Sequence, residues 1–222
     1  MKRPGSITFY FSLFISVVLL AACSVDAYDQ GEGELSLMTA EMADVYTGND
    51  GYVSQALTDE GERLHFDPPF RVRWMTKADT IYRTVLYYNK SNQRAISVGS
   101  VLLAVPRRAK EVKTDPVRFE SLWMARTGRY LNAGIYLMTG ATPGDSARQV
   151  LGAVVDTLME NADHSHTLHL ILYHDQANVP EYYSQRTFVS IPIDSIQADS
   201  LSLRINTYSG EVVRSFPIKT EQ

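Results

Sequence analysis

Four of the five histidines, His164, His166, His169 and His174, crowd into one short stretch of the chain. Neutral imidazole is a good ligand for zinc, copper or nickel, and a loop running into a strand could supply three nitrogens from His164, His166 and His169. Strand alternation works against a full set. If a strand reaches back to His164, then His164 and His166 share the face of Leu168 while His169 points the other way. The rings converge only if 164–166 folds over as a turn. Otherwise Asn161 to His166 is a polar hairpin loop and His169 a solvent-facing strand residue. The aromatic residues offer a different chemistry. Tyr87-Tyr88 and Tyr182-Tyr183 are adjacent pairs that each put one ring on either face of a strand, so one ring of each could face solvent and stack on a sugar. Tyrosine is also a strong strand former that is often half-buried. Trp74 and Trp123 lie within apolar strands, where a core position is expected.

Catalytic signatures are missing. The sequence has no Gly-x-Ser-x-Gly, no His-Glu-x-x-His, no phosphate-binding loop and no EF-hand loop. No spacing singles out a carboxylate pair, so neither an enzymatic activity nor a cofactor is expected. The formal charge of -4 falls to about -6 once Lys2 and Arg3 are removed with a leader, an acidic balance whose one basic run, Arg107, Arg108, Lys110 and Lys113, reads as a solvated linker rather than a nucleic-acid or anionic-lipid patch. That balance argues against a nucleic-acid partner.

The leader is read from the first 23 residues. Lys2 and Arg3 precede an uncharged apolar run over 7–22, shorter than the ~20 residues a spanning helix needs, which ends on Leu20-Ala21-Ala22-Cys23. This resembles a bacterial lipobox, in which the cysteine is acylated and becomes the first residue of the mature chain. Cys23 is the only cysteine, so no disulfide can form within the chain and no thiol remains for catalysis. Multiple acylation would hold the protein on a membrane without a transmembrane helix. The tether over 23–34 carries Asp26, Asp29, Glu32 and Glu34, and such acids resemble the export signal of some surface lipoproteins. The expected location is the cell envelope, anchored to the outer membrane on its surface or periplasmic face.

From residue 35 the chain reads as strands punctuated by turns. The segments 35–45, 52–58, 63–66, 71–75, 80–88 and 95–105 fit a small barrel over 35–110, with Asp67-Pro68-Pro69 ending the third of them. Within the first, 38–45 also has helical propensity, and its strand-like flanks decide for strand. Asp59-Glu60-Gly61-Glu62 reads as a hairpin loop with glycine at its left-handed position. The charged stretch from Pro106 to Pro116 reads as a solvated linker and domain boundary. Beyond it, 117–125, 130–139, 150–159, 167–175, 188–193, 200–208 and 211–218 suggest a β-sandwich over 115–222. The fold class is therefore all-β.

This order of features resembles the NigD-like lipoproteins of Bacteroidota. The resemblance rests on Cys23, on the hairpin from Tyr52 to Gly61, and on Asp115-Pro116-Val117 leading to Leu122-Trp123 and Tyr130-Leu131-Asn132. It continues through Leu170-x-Leu172-Tyr173-His174-Asp175, Phe188-Val189-Ser190 and Leu203-Arg204-Ile205-Asn206. It implies an OB-type N-terminal barrel followed by a C-terminal β-sandwich, and it brings no catalytic motif. The expected role is a non-enzymatic, lipid-anchored envelope protein that binds a protein or other macromolecule, as a bacteriocin-immunity protein does. A surface glycan-binding lipoprotein is the alternative, through Tyr87, Tyr88, Tyr182 and Tyr183. A metal-binding protein built on His164, His166 and His169 is the distant third.

Overall fold

In the N-terminal half, alternating apolar and polar residues build five strands: β1 (Met38–Thr47), β2 (Val53–Thr58), β3 (Arg63–Phe70), β4 (Thr80–Asn89) and β5 (Ala95–Ser100). They form one antiparallel sheet in the order β3-β2-β1-β4-β5. This computed structural model describes residues 37–142, 144 and 146–218. The leader, Cys23 and the tether to residue 34 lie outside the described residues. The sheet curls so that Leu64 and Phe66 of β3 share a core with Val45 of β1 and with Leu86 and Tyr88 of β4. Among the described residues no ladder joins β3 to β5, so the barrel is a half-barrel, open between its edges.

The C-terminal half is a sandwich of two four-stranded sheets. Its front sheet holds β6 (Leu102–Leu103), β11 (Tyr183–Pro192), β8 (Tyr130–Thr139) and β7 (Arg118–Met124), in that order. Its back sheet runs β13 (Gly210–Pro217), β12 (Ser200–Thr207), β10 (His166–Asp175), β9 (Val150–Glu160). The β10–β12 and β11–β6 pairs are parallel and the rest antiparallel. Leu131, Ala133 and Ile135 of β8, Val189 and Ile191 of β11, and Leu170, Leu172, Leu201 and Leu203 of the back sheet fill the space between. Every second residue of these strands faces inward, as the pleat requires. No helix occurs among the described residues, and none is long and apolar enough to cross a membrane.

Three expectations are corrected. The third strand does not end at the prolines. Val53 pairs with Phe70 and Gln55 with His65, so Asp67-Pro68-Pro69 bulges out of the ladder, where the missing proline N–H groups are not needed. The segment 71–75 is loop, because it pairs with nothing. Met75 plugs the half-barrel core, and Trp74 stands edge-on to Tyr82 at 5.7 Å with 38% of its surface exposed. The stretch 106–116 is no bare linker. Arg107 N–H donates to the Ala153 carbonyl at 3.0 Å, Asp115 N–H to the His174 carbonyl at 3.0 Å, and Val117 N–H to the Asn206 carbonyl at 3.1 Å. It straps the sandwich, and β6 already belongs to the front sheet. Half-barrel and sandwich form one packed unit that begins at Met38.

Candidate functional site

β1 and β4 are buried continuously in their central residues, Met42–Val45 and Arg83–Leu86, because both of their faces are covered. Ala43, Val45, Leu86 and Tyr88 face the half-barrel core. The other face carries the cross-strand pairs Asp44–Arg83, Met42–Val85 and Ala40–Tyr87. It meets the outer face of the front sheet, whose rows are Trp123–Asn132–Ser190, Ser121–Gly134–Phe188 and Arg118–Tyr136–Arg186.

Where polar rows meet, a buried network forms. The Arg83 guanidinium donates to Asp59 Oδ2 at 2.6 Å, to Asp44 Oδ1 at 3.3 Å, to Asn132 Oδ1 at 3.1 Å and to Ser190 Oγ at 2.9 Å. Asn132 Nδ2 donates to Asp59 at 2.7 Å, and Arg129 and the Tyr130 hydroxyl donate to Asp44 Oδ2 at 2.7 and 3.1 Å. Arg83 also lies 3.9 Å over the Tyr130 ring. Two guanidinium cations thus meet two carboxylates, and the charge is balanced, as a buried site demands. Burial, and then Asp44, push the Tyr130 phenol up to about 12.

Beyond this network the two faces diverge and leave a cleft of ≈ 320 Å³. Its apolar wall is Ala40, Met42 and Val85, and its aromatic wall is Tyr87, Trp123 and Phe188. Trp123 meets Phe188 edge-on at 6.4 Å. Arg186 lies 4.4 Å over Phe188 and is clamped by two parallel 2.7 Å bonds to Glu120, which hold its guanidinium charged and raise its pKa. Asp59 and Glu60 close the top. Asp59 is already committed to Arg83 and Asn132, while Glu41 also lines the cleft with one buried carboxylate oxygen that has no hydrogen-bond partner, so the cleft offers rings, methyl groups, one fixed cation and one carboxylate. Such a lining suits a large apolar side chain or a flat ring with a polar edge.

The residues expected to bind ligand are dispersed. Tyr87 lines the cleft. Tyr88 is fully buried with its hydroxyl on Glu41 at 2.9 Å, which removes it from any stacking surface. Tyr182 and Tyr183 are 71% and 57% exposed, at the start of β11. The histidines do not converge, although 161–165 is a turn; of the three candidate ligands only His166 and His169 lie on the strand, on opposite faces. His164 sits at a left-handed turn position and contacts Glu160 at 2.7 Å, His166 is 3.9 Å from Asp199, and His169 lies opposite Thr157 in the back sheet. Among the described residues no group of three or more His, Cys, Asp or Glu could hold a metal. His174 is buried between the Asp115 carbonyl and Gln149. Sequence reasoning missed Arg186 and Phe188, and assigned Trp123 to the core. The available signals for the network were Arg83 and Asp44, charges inside apolar strands on the parity of Val85 and Met42.

Residues 100–218 match the sequence profile of the NigD-like C-terminal beta sandwich domain. A search against curated proteins finds no match. Among solved structures, a NigD-like immunity protein from Bacteroides caccae is similar at 22% identity and TM-score 0.62, covering 82% of this chain and 97% of that one. A protein of unknown function from Bacteroides vulgatus is similar at 16% identity and TM-score 0.60, covering 82% of this chain and 92% of that one. At these identities the likeness establishes the fold.

Proposed function

The chain belongs to the NigD-like family, whose sandwich domain spans more than half of it, and from that premise we propose that it is a non-enzymatic envelope protein whose cleft binds a protein partner, as an immunity protein does. The observation that carries this reading is the lining of the cleft. Rings from three strands and a clamped arginine are preorganised there, and aromatic and arginine side chains dominate protein-binding hot spots. The solved NigD-like immunity protein of the same fold supports the choice of a protein over a small molecule. A photo-crosslinking residue at position 87 of the full chain, in the cells that make it, tests the reading. A discrete protein adduct that disappears with Phe188→Ala is expected. Labelling indistinguishable from that of a crosslinker at position 213, on the outer edge of the sandwich, would sink it.

The adjacent, exposed Tyr182 and Tyr183 support a second reading, a surface glycan-binding lipoprotein. A glycan array probed with the chain and with its Tyr182→Ala, Tyr183→Ala variant tests it, and saturable binding lost in the variant is the supporting result. In both readings Cys23 carries lipid and holds the chain at the outer membrane. Incorporation of labelled palmitate should vanish in Cys23→Ala, and labelling that survives the change rejects the anchor.

A further inference from the structure

Two arginines occupy one row of the exposed front-sheet face, and their situations differ. Arg186 is held by both edges on Glu120. Arg118, its row-mate two strands away, is exposed and lies 4.2 Å over the Tyr136 ring, and it makes no ion pair among the described residues. Stacking fixes the guanidinium plane and leaves its N–H edges open, a geometry ready for a carboxylate. The acids nearby do not supply one. Glu120 serves Arg186, Asp59 serves Arg83, and Glu60 faces Arg126 at 3.4 Å. Glu41, which borders the cleft, accepts from the Tyr88 hydroxyl through Oε1, keeps a buried Oε2 without a hydrogen-bond partner, and forms no ion pair with Arg118 among the described residues.

We propose, resting on the protein-partner reading above, that this face docks an extended acidic segment of the partner, one of whose carboxylates pairs with Arg118 while an apolar side chain enters the cleft beside Trp123 and Phe188. The partner's chemistry follows from complementarity: within the Arg118–Tyr136–Arg186 row the charge without an ion-pair partner is positive, and the neighbouring recess presents the Trp123 and Phe188 rings, with the Glu41 carboxylate on its β1 side. The spacing follows from sheet geometry. The Arg118 row and the Phe188 row are two residues apart along β8, and β7 and β11 are two strands apart, so the two anchor points are roughly 12 Å apart. An extended peptide covers that in about three to four residues. Gly134 seats the clamp between the two anchor points. A Cβ there would lie 2.7 Å from Ser121 Oγ and 3.1 Å from Glu120 Oε2, so its absence lets Glu120 lie against the sheet and keep Arg186 clamped.

The test is selection of a random linear peptide library on the full chain in detergent, run beside the Arg118→Glu and Trp123→Ala variants. Enriched peptides are expected to carry Asp or Glu three or four positions from Phe, Leu, Met or Trp. Arg118→Glu, an exposed change that leaves the fold intact by circular dichroism, should switch that acid to Lys or Arg. Trp123→Ala should weaken the wild-type consensus peptide at least tenfold. A consensus without acid, the same consensus on Arg118→Glu, or no enrichment on the folded chain overturns the proposal. If the position-87 adduct persists in Arg118→Glu cells, a protein partner stands and only its acidic docking falls.

Discussion

The Arg83 guanidinium and the Ser190 hydroxyl stand 107 positions apart in the chain and 2.9 Å apart in space. Through that bond and its neighbours the half-barrel is fastened to the sandwich by polar groups, with Met42, Val85 and Phe188 packing beside them. The cleft opens where this fastening ends, so its walls come from both halves and its shape depends on the network.

Removing one carboxylate from that network leaves the guanidinium buried and under-compensated. Asp59→Ala strips Arg83 and Asn132 of a shared acceptor, and a loss of about 3–5 kcal/mol is expected. Urea unfolding followed by tryptophan fluorescence measures it. Arg126→Ala, which removes the exposed Glu60 partner, should leave the midpoint nearly unmoved. Equal losses in the two variants would show that burial does not set the cost.

Alkaline stability should carry the signature of Tyr130. Its pKa is raised from 10.0 to about 12 by burial first and by Asp44 next, while Arg129 and Arg83 pull the other way. A raised folded pKa means that the contribution is complete below pH ~10 and is lost as pH rises toward ~12, since the unfolded phenol ionises first. Denaturation at stepped pH should therefore show a decline in that window that is shallower in Tyr130→Phe. Tyr88, raised by burial and Glu41, keeps some slope in the variant.

The tyrosine pairs separate by burial. Tyr88→Ala empties a fully buried site and should cost about 3–5 kcal/mol. Changes at Tyr182 or Tyr183 should fall within about 0.5 kcal/mol. Thermal unfolding of the single variants ranks them, and a Tyr88→Ala chain as stable as Tyr183→Ala would contradict the packing described.

Gly140 underlies Tyr182. A Cβ there would sit 2.7 Å from Tyr182 Cδ2 and 2.8 Å from the Pro180 carbonyl oxygen. The ring can swing aside but the backbone oxygen cannot, so Gly140→Ala should destabilise by about 1–3 kcal/mol. Chemical denaturation beside Gly152→Ala, whose nearest neighbour would be an ordinary contact at 3.9 Å, isolates the effect.

Zinc should not distinguish the wild type from the His164→Ala, His166→Ala, His169→Ala variant. His164 is occupied by Glu160, and the other two rings are not gathered around a common point. Calorimetric titration checks this. A stoichiometric site present in the wild type and absent in the variant would restore the metal reading.

Strand after strand was legible because each carries its own alternation and turn. The segments predicted at 80–88 and 130–139 are β4 and β8 almost to the residue, and Gly61 turns the β2–β3 hairpin at φ 89, where a side chain would be strained. Alternation assigns residues to two faces but is silent on whether the second face is covered. That was decided by tertiary packing, which buried Tyr88, left Tyr87 at a cleft, set Trp123 half-buried against the Met42, Val85 and Val101 cluster, and gave Arg83 partners at positions 44, 59, 132 and 190. The reason is physical. Strand identity is a local property of period and turn chemistry, whereas a site is made where faces from distant segments meet, and the free energy of that meeting depends on all of them at once.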